Sequence, residues 1–301
     1  MDPLWLLAGA LLWDLLLGEP PERLHPVVGM GRAGGWLAKR APPGSEGGFG
    51  WALALGLPLG AALLGGAALL LAGRIHPAAG LLVGIFLLKS SFALRGLDRA
   101  ARRVAEGLEA GDLEEARRAL PALVGRDPAS LDRSQAASAA VESVAENFVD
   151  SVLAPLLWFA LLAPSGLGVE AALFYRAVNT LDATVGYPHM AVGRGSALLD
   201  TGLNWLPARL AGPLLTILAG DRARARRIMA RDRREPPGPN RGWSVAAMAG
   251  ALGVRLEKPG AYIAGEEFPP PGAGDIRRAL GLFWGACAVA AAAALVAAAA
   301  A

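Results

Sequence analysis

Two uncharged stretches constrain this chain more than any other feature. Trp51 to Gly73 runs 23 residues and Leu280 to Ala301 runs 22 residues without a single Asp, Glu, Lys or Arg. At 1.5 Å of rise per residue, about 20 apolar residues in a helix cross the roughly 30 Å hydrocarbon core of a bilayer. Lipid cannot satisfy backbone N–H and C=O groups, so such runs must be helical. A soluble globular domain is therefore excluded. Composition agrees: 54% of the 301 residues are apolar and 18% are charged, against roughly 25% charged in soluble domains. Gly and Ala are abundant, as expected where helices approach closely in lipid.

Other runs are apolar but interrupted. Pro3 to Leu17 carries Asp14 and lacks a basic n-region or a small-residue cleavage site, so it reads as a retained membrane element. Ala78 to Leu94 turns polar at Lys89-Ser90-Ser91. Phe148 to Ala163 contains Asp150. Val169 to Tyr187 contains Arg176, Asn179 and Asp182. Leu203 to Gly220 is broken by Pro207, Arg209 and Pro213, and reads as a re-entrant or in-plane element. The net charge is only +3, but Lys and Arg concentrate in 18–50, 95–147 and 221–241, with sparsely charged turns at 74–77 and 164–168. The positive-inside bias puts the basic loops in the cytoplasm and both termini outside. Within 95–125, Leu97, Ala101, Val104 and Leu108, then Leu113, Ala116, Leu120 and Leu123, recur at helical spacing on either side of Gly111-Asp112. The expected fold is an all-α polytopic membrane helix bundle with broken or re-entrant segments and a cytoplasmic helical hairpin. It forms a single integral membrane domain, 1–301, with cytoplasmic loops at about 18–50, 95–147 and 221–279.

Several chemistries are excluded. Cys287 is alone, so no intrachain disulfide forms, and His25, His76 and His189 lie far apart, without zinc-ligand spacing. Gly84 to Ser90 lacks the glycine that precedes Lys in a phosphate-binding loop, because Leu88 stands there, and no strand precedes it. No nucleic-acid module is visible, and the Arg run at 222–234 reads as a cytoplasmic, lipid-facing loop.

Four polar groups stand out. Glu142, Glu146 and Asp150 are spaced i, i+4, i+8 and fall within about 80° on a helix. Three carboxylates on one stripe repel, so a cation should neutralise them, and their hard oxygens suit Mg²⁺. Pro155 also removes the hydrogen bond to the Ser151 carbonyl. The bland alternative is a solvated acidic helix end after a turn at 132–140. The second group is Tyr175, Asn179 and Asp182 beside Arg176. Ionisable groups inside a membrane segment are functional candidates, while the alternative is an Arg176–Asp182 pair that only supports packing. Asp200, Asn204, Trp205, Pro207 and Arg209 form a third group. Arg209 suits a phosphate as a planar bidentate donor, and the alternative is headgroup anchoring by Trp205 and Arg209. The fourth is Asp14, Gly18, Glu19 and Pro20 with His25-Pro26 and Gly29, where the alternative is anchoring of the first helix.

These stretches resemble a known family. Val124-Gly125-Arg126-Asp127, Ala140-Val141-Glu142-Ser143-Val144-Ala145-Glu146-Asn147, Ala154-Pro155, Tyr175 through Asp182, Val185-Gly186-Tyr187 and Asn204 through Leu210 occur in the order found in the CobD/CbiB family of cobalamin biosynthesis. Asp14…Gly18-Glu19-Pro20…His25-Pro26 and Pro239 through Trp243, followed by 246–252, fit as well. The resemblance covers about residues 10 to 265. The chain departs from it at Asp200-Thr201, where the family shows two aspartates, at Gly242-Trp243-Ser244-Val245, and around Pro188-His189-Met190.

The resemblance implies an adenosylcobinamide-phosphate synthase. Such an enzyme joins adenosylcobyric acid to (R)-1-aminopropan-2-ol phosphate through an amide, driven by ATP with Mg²⁺. It implies a place in the bacterial inner membrane, an active site toward the cytoplasm, and corrinoid and aminoalcohol phosphate substrates. On that expectation Glu142, Glu146 and Asp150 hold Mg²⁺. Arg126, Arg176 and Arg209 bind phosphates, with His25 also on the substrate side. Asn147, Asn179 and Asn204 orient carboxylate or amide, and Asp182 or Asp200 takes the amine proton. All of them are expected in one pocket near the cytosolic face. Two competing readings are a corrinoid transporter or membrane binding protein, which should show inverted internal symmetry, and a membrane tether that docks other enzymes of the pathway on 221–241.

Overall fold

The computed structural model describes residues 1–125, 127–187 and 190–301. In chain order its helices are α1 (Pro3–Leu16), α2 (Pro26–Ala38), α3 (Glu46–Ile75), α4 (Pro77–Lys89), α5 (Arg95–Glu109), α6 (Leu113–Ala119), α7 (Arg133–Phe148), α8 (Ala154–Leu162), α9 (Gly168–Val185), α10 (Arg194–Leu203), α11 (Trp205–Leu218), α12 (Arg222–Asp232), α13 (Arg241–Leu252) and α14 (Ala273–Ala299). Strands β1 (Leu256–Lys258) and β2 (Tyr262–Ala264) pair antiparallel, with Glu257 opposite Ile263. Among the described residues, three helical stretches are long and apolar enough to cross a membrane: Glu46–Ile75, Arg133–Ser165 and Ala273–Ala299. The expected all-α membrane architecture is what the chain adopts.

Local chemistry sets the boundaries. Asp2 caps α1 through the Leu4 N–H, Asp112 caps α6, and Asp221 caps α12. Two His-Pro pairs start helices the same way. Proline fits the first helical position, and His25 Nδ1 and His76 Nδ1 accept the Val27 and Ala78 N–H groups at 3.3 and 3.2 Å. The expected hairpin is present as α5 and α6, and Gly111 at φ +80° makes the turn between them.

Elsewhere the structure corrects the sequence reading. The expected turn at 132–140 is helix from Arg133 onward. Asp132 and Gln135 close a reciprocal capping box there, which the intervening alanines extend. The Arg-rich stretch expected as a loop is α12, because its alanines and Ile228 pack on α13. Residues 256–264, expected as loop, form the β-hairpin. Helix α11 contains Pro213 yet stays helical. Its 14 residues span about 21 Å, short of the roughly 30 Å of a hydrocarbon core. The helix carrying the three carboxylates widens into a π-turn over Val149–Leu153, just before Pro155, whose missing N–H interrupts the α-helical ladder.

The chain divides into two compact units: residues 1–94, 154–203 and 290–301, and residues 95–153 and 204–289. In the first, α9 packs on α2, α3, α4, α8 and α10, and α4 packs on α1 and α3. Glycines set these approaches. A Cβ on Gly80 would lie 2.8 Å from the Gly73 Cα, and one on Gly65 would lie 2.4 Å from a Leu173 methyl. In the second unit, α13 packs on α7, α11 and α12, and β1 lies on α7. Phe148 meets Phe283 edge-on at 6.3 Å, and Trp284 Nε1 donates to Asp98 at 2.9 Å. A Cβ at Gly250 would fall 2.8 Å from Ile228 Cβ and 2.9 Å from Ala225 Cα. Replacing Gly250 with Val should therefore separate α12 from α13 and cost about 1–3 kcal/mol by overpacking. Thermal unfolding of the detergent-solubilised variant should show the loss, while Gly274→Val, in open space, should not.

Candidate functional site

In the second unit the carboxylate stripe of α7 has a cation, and it is a side chain of the chain itself. Arg241, the first residue of α13, places Nε 2.9 Å from Glu146 Oε1. Glu146 first, and then Asp150 and Glu142, hold the Arg241 guanidinium above its ordinary proton affinity. All three acids expected to share a face thus act on one guanidinium. Glu142 is buried at 5% exposure. Tyr262 of β2 closes over the same group. Burial, followed by the charges of Glu142 and Glu146, pushes its hydroxyl pKa far up, so it stays a neutral O–H. The hairpin is held by Ser138 of α7, whose hydroxyl accepts the Glu257 N–H at 2.7 Å and donates to the Glu257 carbonyl at 3.1 Å.

Asn147 lies next to the stripe, but its amide is used locally. Nδ2 donates to the Ser143 carbonyl and hydroxyl, both at 3.0 Å, and Oδ1 accepts from Ser151 at 3.1 Å. Ser143 in turn donates to the Leu123 carbonyl at 2.8 Å. Asn147 is therefore a positioning residue in a side-chain ladder. Among the described residues no three His, Cys, Asp or Glu side chains come together as a metal-ligand set. Glu142, Glu146 and Asp150 form an acid–guanidinium cluster and do not fit a ready-made Mg²⁺ cage. Also in this unit, Asn204 is buried at the start of α11. Arg209 Nη1 donates to the Trp205 carbonyl at 2.6 Å and to Asn240 Oδ1 at 3.2 Å, and its guanidinium lies 4.0 Å over the Trp205 ring.

The first unit carries two polar groups. On α9, Arg176 Nη1 donates to Asn179 Oδ1 at 3.3 Å, and Asn179 Nδ2 donates to Asp200 Oδ1 of α10 at 3.1 Å. Asn179 thus links a guanidinium to a carboxylate. Tyr175 is fully buried. Asp182 packs against Gly186, where a Cβ would lie 1.9 Å from its Oδ1, so only glycine fits there. The other group surrounds Lys89, which is entirely buried. Its ammonium lies 3.0 Å from both Asp14 Oδ1 and Glu19 Oε1 and donates to the Phe92 carbonyl at 3.1 Å. Because His25 Nδ1 accepts the Val27 N–H, Nε2 carries the proton it shares with Glu19 at 3.1 Å. His25 is thereby assigned to this network. Arg126 and His189 lie outside the described residues.

Sequence reasoning named most of the acids but not their partners. Lys89 was read only as the polar end of an apolar run and inside a rejected loop motif. Arg241 stood within the Pro239-to-Trp243 stretch without a role, and Tyr262 carried no local signal. The signal available for Arg241 was the unmet charge of the α7 stripe itself.

A helical membrane protein with compensated polar clusters at its helix ends is the class these features define. Three comparisons narrow it. A family model described as CobD/Cbib protein matches residues 7–283. The chain is 39% identical over 293 residues to the probable cobalamin biosynthesis protein CobD of Methanothrix thermoacetophila, covering 93% of this chain and 92% of the relative. It is 41% identical over 290 residues to the cobalamin biosynthesis protein CobD of Klebsiella pneumoniae, covering 91% and 88%. It is 40% identical over 290 residues to CbiB of Salmonella typhimurium, again covering 91% and 88%. No solved structure matches. The chain belongs to the CobD/CbiB family.

Two outcomes follow from the Lys89 network. Removing the cation strands Asp14 and Glu19, so Lys89→Met should lower stability by about 3–5 kcal/mol, read as a fall in melting temperature and detergent-resistant yield. Burial raises the Glu19 pKa, but the His25 hydrogen bond and the Lys89 charge together outweigh it, leaving the carboxyl below its ordinary 4.5. A depressed folded value stabilises fully above the unfolded value and is lost as pH falls through the folded one. Melting temperature should therefore drop on acidification below about pH 4.5, and Glu19→Gln should flatten that part of the curve.

Proposed function

We propose that this chain acts in cobalamin biosynthesis as an ATP-dependent amide ligase, joining adenosylcobyric acid to (R)-1-aminopropan-2-ol phosphate. The observation that carries the reading is the Glu142–Glu146–Asp150 stripe gathered on Arg241 and Tyr262, in a chain whose family match runs nearly end to end. A carboxylate does not condense with an amine at neutral pH without activation. ATP transfers its γ-phosphoryl group to the propionate oxygen, giving an acyl phosphate and ADP. The amine nitrogen then attacks the acyl carbon, the C–O bond to phosphate breaks, and the nitrogen loses a proton to a base. Catalysis in such a sequence rests on placing the reactants and stabilising phosphate charge.

The residues divide these tasks. Arg241 is anchored by Glu146, so its remaining N–H groups are pre-aimed donors for a carboxylate or phosphate oxygen. Tyr262 keeps its proton and donates a neutral hydrogen bond. Arg209 is a further anion donor, and Asn204 an amide group for orienting substrate. In the first unit, by itself, Asn179 joins Arg176 to Asp200. ATP and Mg²⁺ are the cofactors this reading requires, without a three-carboxylate cage for the metal. Placement in the bacterial inner membrane with a cytoplasm-facing site belongs to the same proposal and accords with the basic 95–147 and 221–241 stretches.

The test is direct. Detergent-purified protein, ATP, Mg²⁺, adenosylcobyric acid and aminopropanol phosphate are combined, and the amide product is read by mass spectrometry. Wild type should form it only with ATP present. Glu146→Ala, which releases Arg241, should slow it roughly 10²–10³-fold, and Glu146→Gln, which keeps the side-chain volume, separates that loss from any fall in melting temperature. Asp200→Asn tests the first unit's group separately in the same assay. Product formation without ATP, or full activity in Glu146→Ala, would overturn the reading.

A further inference from the structure

The second unit holds a pair of guanidinium groups that its own acids do not neutralise. Arg209 of α11 and Arg233, just after α12, both lie over the indole of Trp243, at 5.4 and 4.5 Å from the ring centroid. Burial first and then the Arg233 charge lower the proton affinity of Arg209. Among the described residues neither makes an ion pair. The acids nearest in sequence are committed elsewhere: Asp232 accepts from Arg231 and from the Gly265 N–H at 2.8 Å, and Glu235 lines a cavity beside the β-hairpin. Two cations held on one ring without a counter-ion are unfavourable, and the arrangement makes sense when a third, negative group joins them.

A second observation points to the same ligand. Helix α13 starts beside this pair, and its N-terminus has no side-chain cap. Asn240, which occupies the capping position, turns its side-chain oxygen to Arg209 at 3.2 Å. A Cβ on Gly242 would fall 2.1 Å from the Arg233 carbonyl oxygen, so glycine lets the Arg233 backbone lie against the first turn of α13. A helix N-terminus supplies partial positive charge and aimed N–H groups, which is how backbone binds phosphate. The Trp205 and Trp243 rings lie within cation–π range of these guanidinium groups.

We propose that Arg209, Arg233 and the uncapped first turn of α13 form a clamp for a phosphate group, with Asn240, Trp205 and Trp243 as its positioning residues. The phosphate belongs either to a soluble phosphoester or polyphosphate or to a lipid headgroup. The clamp gives a place to one phosphate of the proposed ligation and rests on that reading only for the identity of its ligand.

The experiment measures binding alone. Pyrophosphate is titrated calorimetrically into the full chain in maltoside micelles, which contain no phosphate, and native mass spectrometry of the same preparation records retained phospholipid. Wild type should bind pyrophosphate, and Arg233→Gln and Arg209→Gln should each weaken it roughly ten- to hundredfold. Arg234→Gln removes the neighbouring charge outside the pair and should leave binding unchanged. If phosphatidylglycerol is instead retained by wild type, lost from both variants, and competes with pyrophosphate, the clamp stands with a lipid as its source. If wild type captures neither, or if both variants, with unchanged melting temperatures, capture as well as wild type, the clamp is wrong. Pyrophosphate binding without amide product would uphold the clamp and sink the ligase. Amide product without any phosphate capture at the pair would do the reverse.

Discussion

The pairing of Arg241 with the α7 carboxylates is the constraint on which the second unit depends. Three acids on one stripe cannot be charged together in a poorly hydrated setting unless a cation answers them. Arg241 answers from the first turn of α13, and Tyr262 covers the group with a hydroxyl that cannot ionise. Their demands explain otherwise unrelated features. Ser138 clips the β-hairpin to α7, Gly242 lets α13 begin close to the chain after α12, and Gly250 lets α12 approach α13. The electrostatics come first, and the close packing serves it.

The first unit solves the same problem at Lys89. A fully buried ammonium is tolerable because two carboxylates and a carbonyl take its three protons. Lys89 lies at the end of α4, Asp14 near the end of α1, and Glu19 in the connection to α2, so one cation ties three segments together. The His25 ring links this network to the start of α2. Polar groups that looked like separate candidates along the chain are here part of how the helices are held.

Much of the fold was legible because lipid leaves few choices. An uncharged run of sufficient length has to be helical, and the regular spacing of Leu97 through Leu123 marked the hairpin of α5 and α6. The stretch at 132–140 was misread because its polar residues resemble a turn, when Asp132 and Gln135 are in fact the two halves of a helix cap. The Arg run of α12 was misread because charge density outweighed the alanines and Ile228 that pack it. The β-hairpin is too short to carry a periodic signal. For the site, the acids were visible because carboxylates in apolar sequence are conspicuous. Their partners Arg241 and Lys89 were not, because pairing across 95 residues in one case and 75 in the other depends on tertiary folding. The family resemblance located the right stretches of chain, but only coordinates assign Asn147 and Asn179 to holding neighbouring side chains.

The β-hairpin has a consequence of its own. Two strands of three residues do not persist in isolation, so this hairpin exists as a hairpin only while it rests on α7. Docking and folding of the segment are one equilibrium. Any influence that lifts it from Ser138 also melts it, and the Tyr262 phenol departs with it. The acids beneath would then meet water abruptly, as a latch opens, instead of by graded loosening.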